Sequence, residues 1–126
     1  MEYCDNVIIS IKPKFVASIR KGKKLFEFRK LPFRRKVAKC FIYESWPTCK
    51  IVGEFVPDYW LGGYKDDVWA ETWKEAGITR DFYDEYFAGS DTAYALHFKD
   101  VVFYECPRSL PAGVRAPQSF IYTSLN

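Results

Sequence analysis

Hydrophobic and polar positions along this chain change period several times, and each change predicts an element. Val7-Ile8-Ile9-Ser10-Ile11 is a β-branched run that fits a buried strand. From Lys14 to Lys21 the apolar residues Phe15, Val16 and Ile19 recur at helical spacing, while Lys14, Ser18 and Lys21 fall on the wet face. Pro13 suits the first helical position, where its missing N–H costs nothing. Gly22 stands where a left-handed helix cap belongs. The period then drops to two. Leu25-Phe26-Glu27-Phe28-Arg29 reads as a half-buried strand, with Phe26 and Phe28 toward the core and Leu25, Glu27 and Arg29 on the other face. A loop around Pro32 separates it from a second strand, Val37 to Glu44. A third is predicted from Cys49 to Val56, with Gly53 as a bulge or close approach and Pro57 as its end. Between these two, Ser45-Trp46-Pro47-Thr48 forms a tight turn with Trp46 at its tip.

The segment from Asp58 to Lys65, with Gly62-Gly63, reads as irregular. Asp66 and Asp67 then open a helix in which Trp69 and Trp73 stand at i,i+4, closed by Gly77. Thr79 caps a further helix bearing Phe82, Tyr83, Tyr86 and Phe87, an aromatic stripe that reads most simply as core, ended by Gly89. Thr92 to Tyr104 predicts a long strand broken near Lys99-Asp100, with His97 as a hydrogen-bonded core or edge histidine. Pro107, Pro111 and Pro117 make a loop before a last short strand, Ser119 to Thr123. With 126 residues and 48% hydrophobic content, one folded domain over 1–126 is expected. No apolar run reaches the length of a membrane span and no basic-then-apolar leader opens the sequence, so the expected location is cytoplasmic. Cys4, Cys40, Cys49 and Cys106 include no C-x-x-C pair, and His97 cannot complete a four-ligand site with them. Free thiols are expected, with no metal and no cofactor.

Charge changes the picture more than composition does. Between Lys12 and Lys39 stand twelve Lys or Arg and the lone acid Glu27; the remainder holds seven basic residues against fifteen acids. A concentrated basic face on an acidic body suits a polyanion, although such runs also serve simply as solvated surface. Aromatics at 19% supply either core or stacking platforms for bases.

Within that basic stretch, Gly22-Lys23-Lys24-Leu25-Phe26-Glu27-Phe28-Arg29 carries the candidate chemistry. Glu27 and Arg29 on one strand face set an acceptor beside a rigid donor fork. Taken alone this is a surface i,i+2 ion pair of little energetic worth. Lys24 joins Glu27 only if the strand begins after it. Glu75 lies in a last helical turn, where the dipole disfavours a carboxylate, so either a function or a local salt bridge with Lys74 or Arg80 is called for.

Residues 7–55 resemble an ASCH domain, a member of the PUA-like superfamily. The likeness rests on the opening strand into Ile11-Lys12-Pro13-Lys14, the spacing Gly22-x-Lys24-x-x-x-x-Arg29, the strands through Val37–Ser45 and Ile51-Val52-Gly53, then Glu75-Ala76-Gly77-Ile78 and Pro117-Gln118-Ser119-Phe120. It implies an α+β fold: a small PUA-like β-barrel of about five to six strands, with an N-terminal helix and two central helices packed against it. It also implies a basic cleft that takes RNA, a nucleotide or a modified nucleoside. Lys12, Lys24, Glu27, Arg29, Arg34, Arg35, Trp46 and Gln118 are the expected ligand-binding residues. Family members that deacetylate acetylated cytidine use a lysine, a threonine and a glutamate, which places Lys24, Glu27 and Glu75 as catalytic candidates. Glu27 departs from the threonine, and a carboxylate beside Lys24 favours its charged, less basic form. Binding is therefore the first reading, an amidohydrolase of acylated cytidine the second. A ribonuclease holding Mg²⁺ or Mn²⁺ on Glu27 and Glu75 is the third.

Overall fold

In the computed structural model, which describes residues 5–126, the opening β-branched run is strand β1 (Asp5–Ile11), and it passes through Lys12 into helix α1 (Pro13–Arg20). Strands β2 (Phe26–Arg29), β3 (Val37–Glu44) and β4 (Lys50–Tyr64) follow. Helix α2 (Lys65–Thr72), a 3₁₀ turn (Trp73–Glu75) and helix α3 (Arg80–Tyr86) form the middle, before β5 (Thr92–Arg108) and β6 (Phe120–Thr123). Among the described residues the strands make one mixed six-stranded sheet in the order β2-β5-β4-β3-β1-β6. Only the β1–β3 pairing is parallel.

Val7, Ile8 and Ile9 are all fully buried because β1 is an interior strand covered on both faces. Val7, Ile9 and Ile11 meet Val16 and Ile19 of α1 together with Phe55, Leu96 and Phe98. Ile8 lies on the other face with Phe41, Tyr43 and Ile51, beneath Leu110 and Ile121. A further cluster joins Phe26 and Phe28 of β2 to Val68, Tyr83 and Phe87 of the middle helices.

Two expected breaks are absent. Strand β4 runs on through Pro57 to Tyr64, where an irregular segment was expected. Its pairing with β3 ends at Cys40↔Phe55, so Pro57 needs no donor on that side. Register shifts on either side of Pro57 absorb it on the β5 side. Strand β5 likewise continues past Lys99-Asp100, where Asp100 takes a positive φ of 53° at an irregularity in the ladder. Gly53 is the close approach that was expected: a Cβ there would lie 2.4 Å from the Val102 carbonyl oxygen. His97 bonds Asp58 through Nδ1 at 2.9 Å. Cys40 is buried and Cys49 and Cys106 are exposed, all as free thiols; Cys4 lies outside the described residues.

The fold is α+β, but backbone pairing does not close the sheet into a barrel. β2 and β6 are its two ends, and a side chain spans the gap between them. Arg29 Nη1 donates to Ser119 Oγ at 3.1 Å and Nη2 to the Ser10 carbonyl at 3.0 Å. Phe33, from the loop after β2, packs edge-on against Phe120 and Trp60 beside this seam. No helix among the described residues is long and apolar enough to cross a membrane.

Candidate nucleotide cleft

The end of α1 delivers the motif. Gly22 adopts φ +74°, and the Ser18 carbonyl accepts from both Lys23 N and Lys24 N at 3.0 and 3.2 Å. This left-handed cap satisfies a terminal helix carbonyl and ties the backbone of Lys24 to α1. Leu25 N donates to the Glu75 carbonyl at 2.9 Å, which clamps the 3₁₀ turn onto the same segment. Gly77, at φ +66°, passes so close that a Cβ would stand 2.3 Å from Lys24 Cβ.

Held this way, the Lys24 side chain is only 1% exposed. Its Nζ donates to the Ala76 carbonyl at 3.0 Å and stands 3.5 Å from Glu27 Oε1. It also lies 5.3 and 5.2 Å from the ring centres of Phe15 and Phe28, so aromatic faces flank the ammonium. Glu27, itself 5% exposed, accepts from Arg29 Nη2 at 2.7 Å through its other oxygen. One carboxylate thus sits between two cations in the interior, not in a surface ion pair. Arg29 Nε is buried with no acceptor among the described residues, an unmet donor in this network.

The expected effect of Glu27 on Lys24 is outweighed. Burial pushes the lysine below its ordinary 10.5; attraction to Glu27 opposes that only in part, and Arg29 adds to the lowering. Desolvation penalises the ammonium more than its single carboxylate partner supports it.

This network lines a cleft of about 490 Å³, whose walls carry Phe15, Tyr43, Trp46, Phe82 and Tyr86. Of the residues expected to bind ligand, Lys12, Lys24, Glu27, Arg29, Trp46 and Gln118 come together here. Trp46 is 81% exposed, so its ring lines the cleft without being packed down. Arg34 and Arg35 do not line it. They sit on the loop against β6, where Arg34 N donates to the Tyr122 hydroxyl at 3.0 Å. Arg35 lies 3.6 Å from Asp5 and stacks over the Tyr122 ring. Glu75 does not reach the site either. The 3₁₀ turn presents the carbonyls of Glu75 and Ala76 to the motif and leaves the Glu75 side chain exposed. A metal shared by Glu27 and Glu75 is therefore not supported. Among the described residues, no group of three or more His, Cys, Asp or Glu is placed to hold a metal ion.

Sequence reasoning assigned Phe82 and Tyr86 to the core and missed that both line the cleft, Tyr86 doing so while it also packs against Phe87 of the core. Their i,i+4 spacing gives them one face of α3, while Tyr83 and Phe87 take the buried one. That spacing was the available signal.

The strand order, the glycine-capped helix and the cleft lined by Arg29 can be set beside known proteins. An ASCH domain-containing ribonuclease of Zymomonas mobilis is 30% identical over 94 residues, covering 74% of this chain and 64% of that protein. The crystal structure of ASCH from Zymomonas mobilis superposes with a TM-score of 0.86 at 26% identity, covering 94% of this chain and 87% of the other. The chain belongs to the ASCH-domain family. A serine-to-alanine and a tyrosine-to-phenylalanine variant of that ASCH protein superpose almost as closely, each at a TM-score of 0.85. The large ribosomal subunit protein uL22 of Ureaplasma parvum is 29% identical over 125 residues, which is 96% of this ASCH chain and 40% of that protein. The chain thus spans less than two thirds of the length of either of these curated relatives. No protein-family model matches it.

Proposed function

We propose that this protein binds single-stranded RNA by seating one nucleotide in the cleft. One observation carries the reading. A buried Lys24–Glu27–Arg29 network forms the polar floor of a 490 Å³ cleft with aromatic walls. Such a cavity is of ligand size, and its few convergent polar groups would orient what enters. Aromatic side chains accept any base face, so Trp46 and Tyr86 provide stacking without sequence preference. Lys12 at the wall supplies charge for a phosphate. That one ASCH relative is named a ribonuclease agrees with RNA as the ligand class.

Titrating single-stranded RNA by calorimetry tests this. Trp46→Ala is expected to weaken binding by about 1–3 kcal/mol, the worth of one stacked base. Unchanged affinity in that variant, with a folded protein, would remove the base from the cleft.

A second reading has one observation in its favour: the depressed basicity of Lys24, which a nucleophile or general base requires. It is amide hydrolysis of an acylated cytidine-type nucleoside in the same cleft, with Lys24 acting on the carbonyl and Arg29 supporting the oxyanion. Acetylcytidine turnover by the wild type, lost in Lys24→Ala, would put this reading first.

A further inference from the structure

Beside the cleft lies a second hollow of about 390 Å³, on the other side of a shared wall made by Phe15, Ile78 and Phe82. The Phe15 and Phe82 rings meet edge to face with centroids 4.9 Å apart, so the wall is a rigid aromatic ridge. Two ammonium groups crown it. Lys12 Nζ stands 5.2 Å and Lys14 Nζ 4.7 Å from the centre of the Phe82 ring. Lys12 belongs to the cleft, whereas Lys14 belongs to the hollow, whose far side carries Lys23. Among the described residues none of these three lysines has an acidic partner within salt-bridge distance. Elsewhere Lys39 and Lys99 each have one and Arg80 has two. Like charges gathered on one ridge without counter-charge repel each other, and a polyanion crossing the ridge would offset that repulsion.

We infer that the ligand spans at least two nucleotides of a single RNA strand. One sits in the cleft and its neighbour in the second hollow, with the linking phosphate over the Lys12–Lys14 crest and the outer phosphate at Lys23. This rests on the cleft holding a nucleotide, and it adds the direction in which the strand leaves: over α1 and α3, not along the arginine loop before β3. The hollow suits a nucleoside. Phe15, Ile78 and Phe82 offer apolar surface, and the hydroxyls of Ser18 and Thr79 lie in the same lining as hydrogen-bonding groups for a sugar. Two adjoining subsites on one strand make the second binding step intramolecular, so affinity rises steeply from one nucleotide to two.

The test uses the full chain and compares each of the four ribonucleoside 5′-monophosphates with the matching homodinucleotide. The wild type is expected to bind at least one dinucleotide about tenfold or more tightly than its mononucleotide. Lys14→Glu/Lys23→Glu is expected to bring that advantage below about threefold while the mononucleotide binds within about twofold of wild type, because phosphate contacts act locally. A thermal melt verifies that the double variant is folded; Lys14→Gln/Lys23→Gln serves if it is not. Equal affinity for both lengths would overturn the two-subsite inference and leave the cleft reading standing. So would a dinucleotide advantage that survives both lysine changes, since the neighbour would then lie elsewhere. Failure of every nucleotide and dinucleotide to bind the wild type would overturn the cleft reading itself.

Discussion

Lys24 carries an ammonium into a space almost closed to water, and its surroundings divide into groups that help it and groups that do not. Glu27 and the Ala76 carbonyl help; burial and Arg29 oppose. Because the folded state lowers its basicity, the unfolded chain binds more protons at Lys24 between that depressed value and the ordinary 10.5. Stability contributed through this group therefore rises with pH across that window, by up to about 1.4 kcal/mol per pH unit. Below the window both states are protonated and the cost of charging a buried lysine is fully present. Denaturant melts of wild type and Lys24→Met from neutral pH toward 10.5 are expected to show the wild type gaining on the variant. A constant difference would mean that Lys24 titrates normally. Glu27 is the complementary case. Glu27→Gln leaves buried Lys24 and part-buried Arg29 without their shared anion, and a loss of about 3 kcal/mol is expected in the same melts.

Among the elements, two glycines at positive φ separate local from tertiary constraint. Gly22 has open space around its missing Cβ, so Gly22→Ala meets only the backbone penalty, about 1 kcal/mol. Gly77→Ala adds a clash with Lys24, and a larger loss is expected, together with weaker ligand binding where Gly22→Ala leaves it intact. Equal costs in a denaturant melt would mean that the 3₁₀ turn yields to the new methyl. The same contrast explains what could be read from the chain. β1, α1, β3, the Thr79 cap and β6 follow from periodicity and local chemistry, and all appear within a few residues of their expected bounds. Pro57 and Asp100 stop a strand by local rules, yet both lie in long strands, because bulges and a one-sided ladder absorb them. The face of α3 bearing Phe82 and Tyr86 was legible as apolar, but whether an apolar face meets core or cleft depends on what packs opposite. Arg34 and Arg35 shared the basic stretch with Lys12 only in sequence; the path of the loop after β2 carries them toward β6.

For the whole molecule, the basic stretch resolves into two separate surfaces: the α1 ridge beside the cleft and the arginine loop beside β6. Salt distinguishes them. Binding of single-stranded RNA is expected to weaken as salt rises, and Lys12→Glu to reduce the slope of log affinity against log salt by about 0.7, the share of one neutralised phosphate. Arg35→Glu is expected to leave that slope unchanged, because Arg35 faces Asp5 and Tyr122 away from the cleft. A larger effect from Arg35 would move the strand to the arginine loop. The seam has a consequence of its own. β6 pairs with β1 over only four positions, Asn6↔Thr123 to Ile9↔Phe120, and across the seam Arg29 reaches it at Ser119. Peeling it away breaks a short ladder, the Arg29 clasp and the contacts of Phe33, Arg34 and Arg35 with Phe120 and Tyr122, while the rest of the sheet stays whole, so its amide protons would exchange with solvent through a local opening before global unfolding. Gln118 and Pro117 of the cleft wall lie on the same segment. A molecule resting against them would hold that edge down, and slowed exchange at residues 120–123 would register its arrival from outside the site.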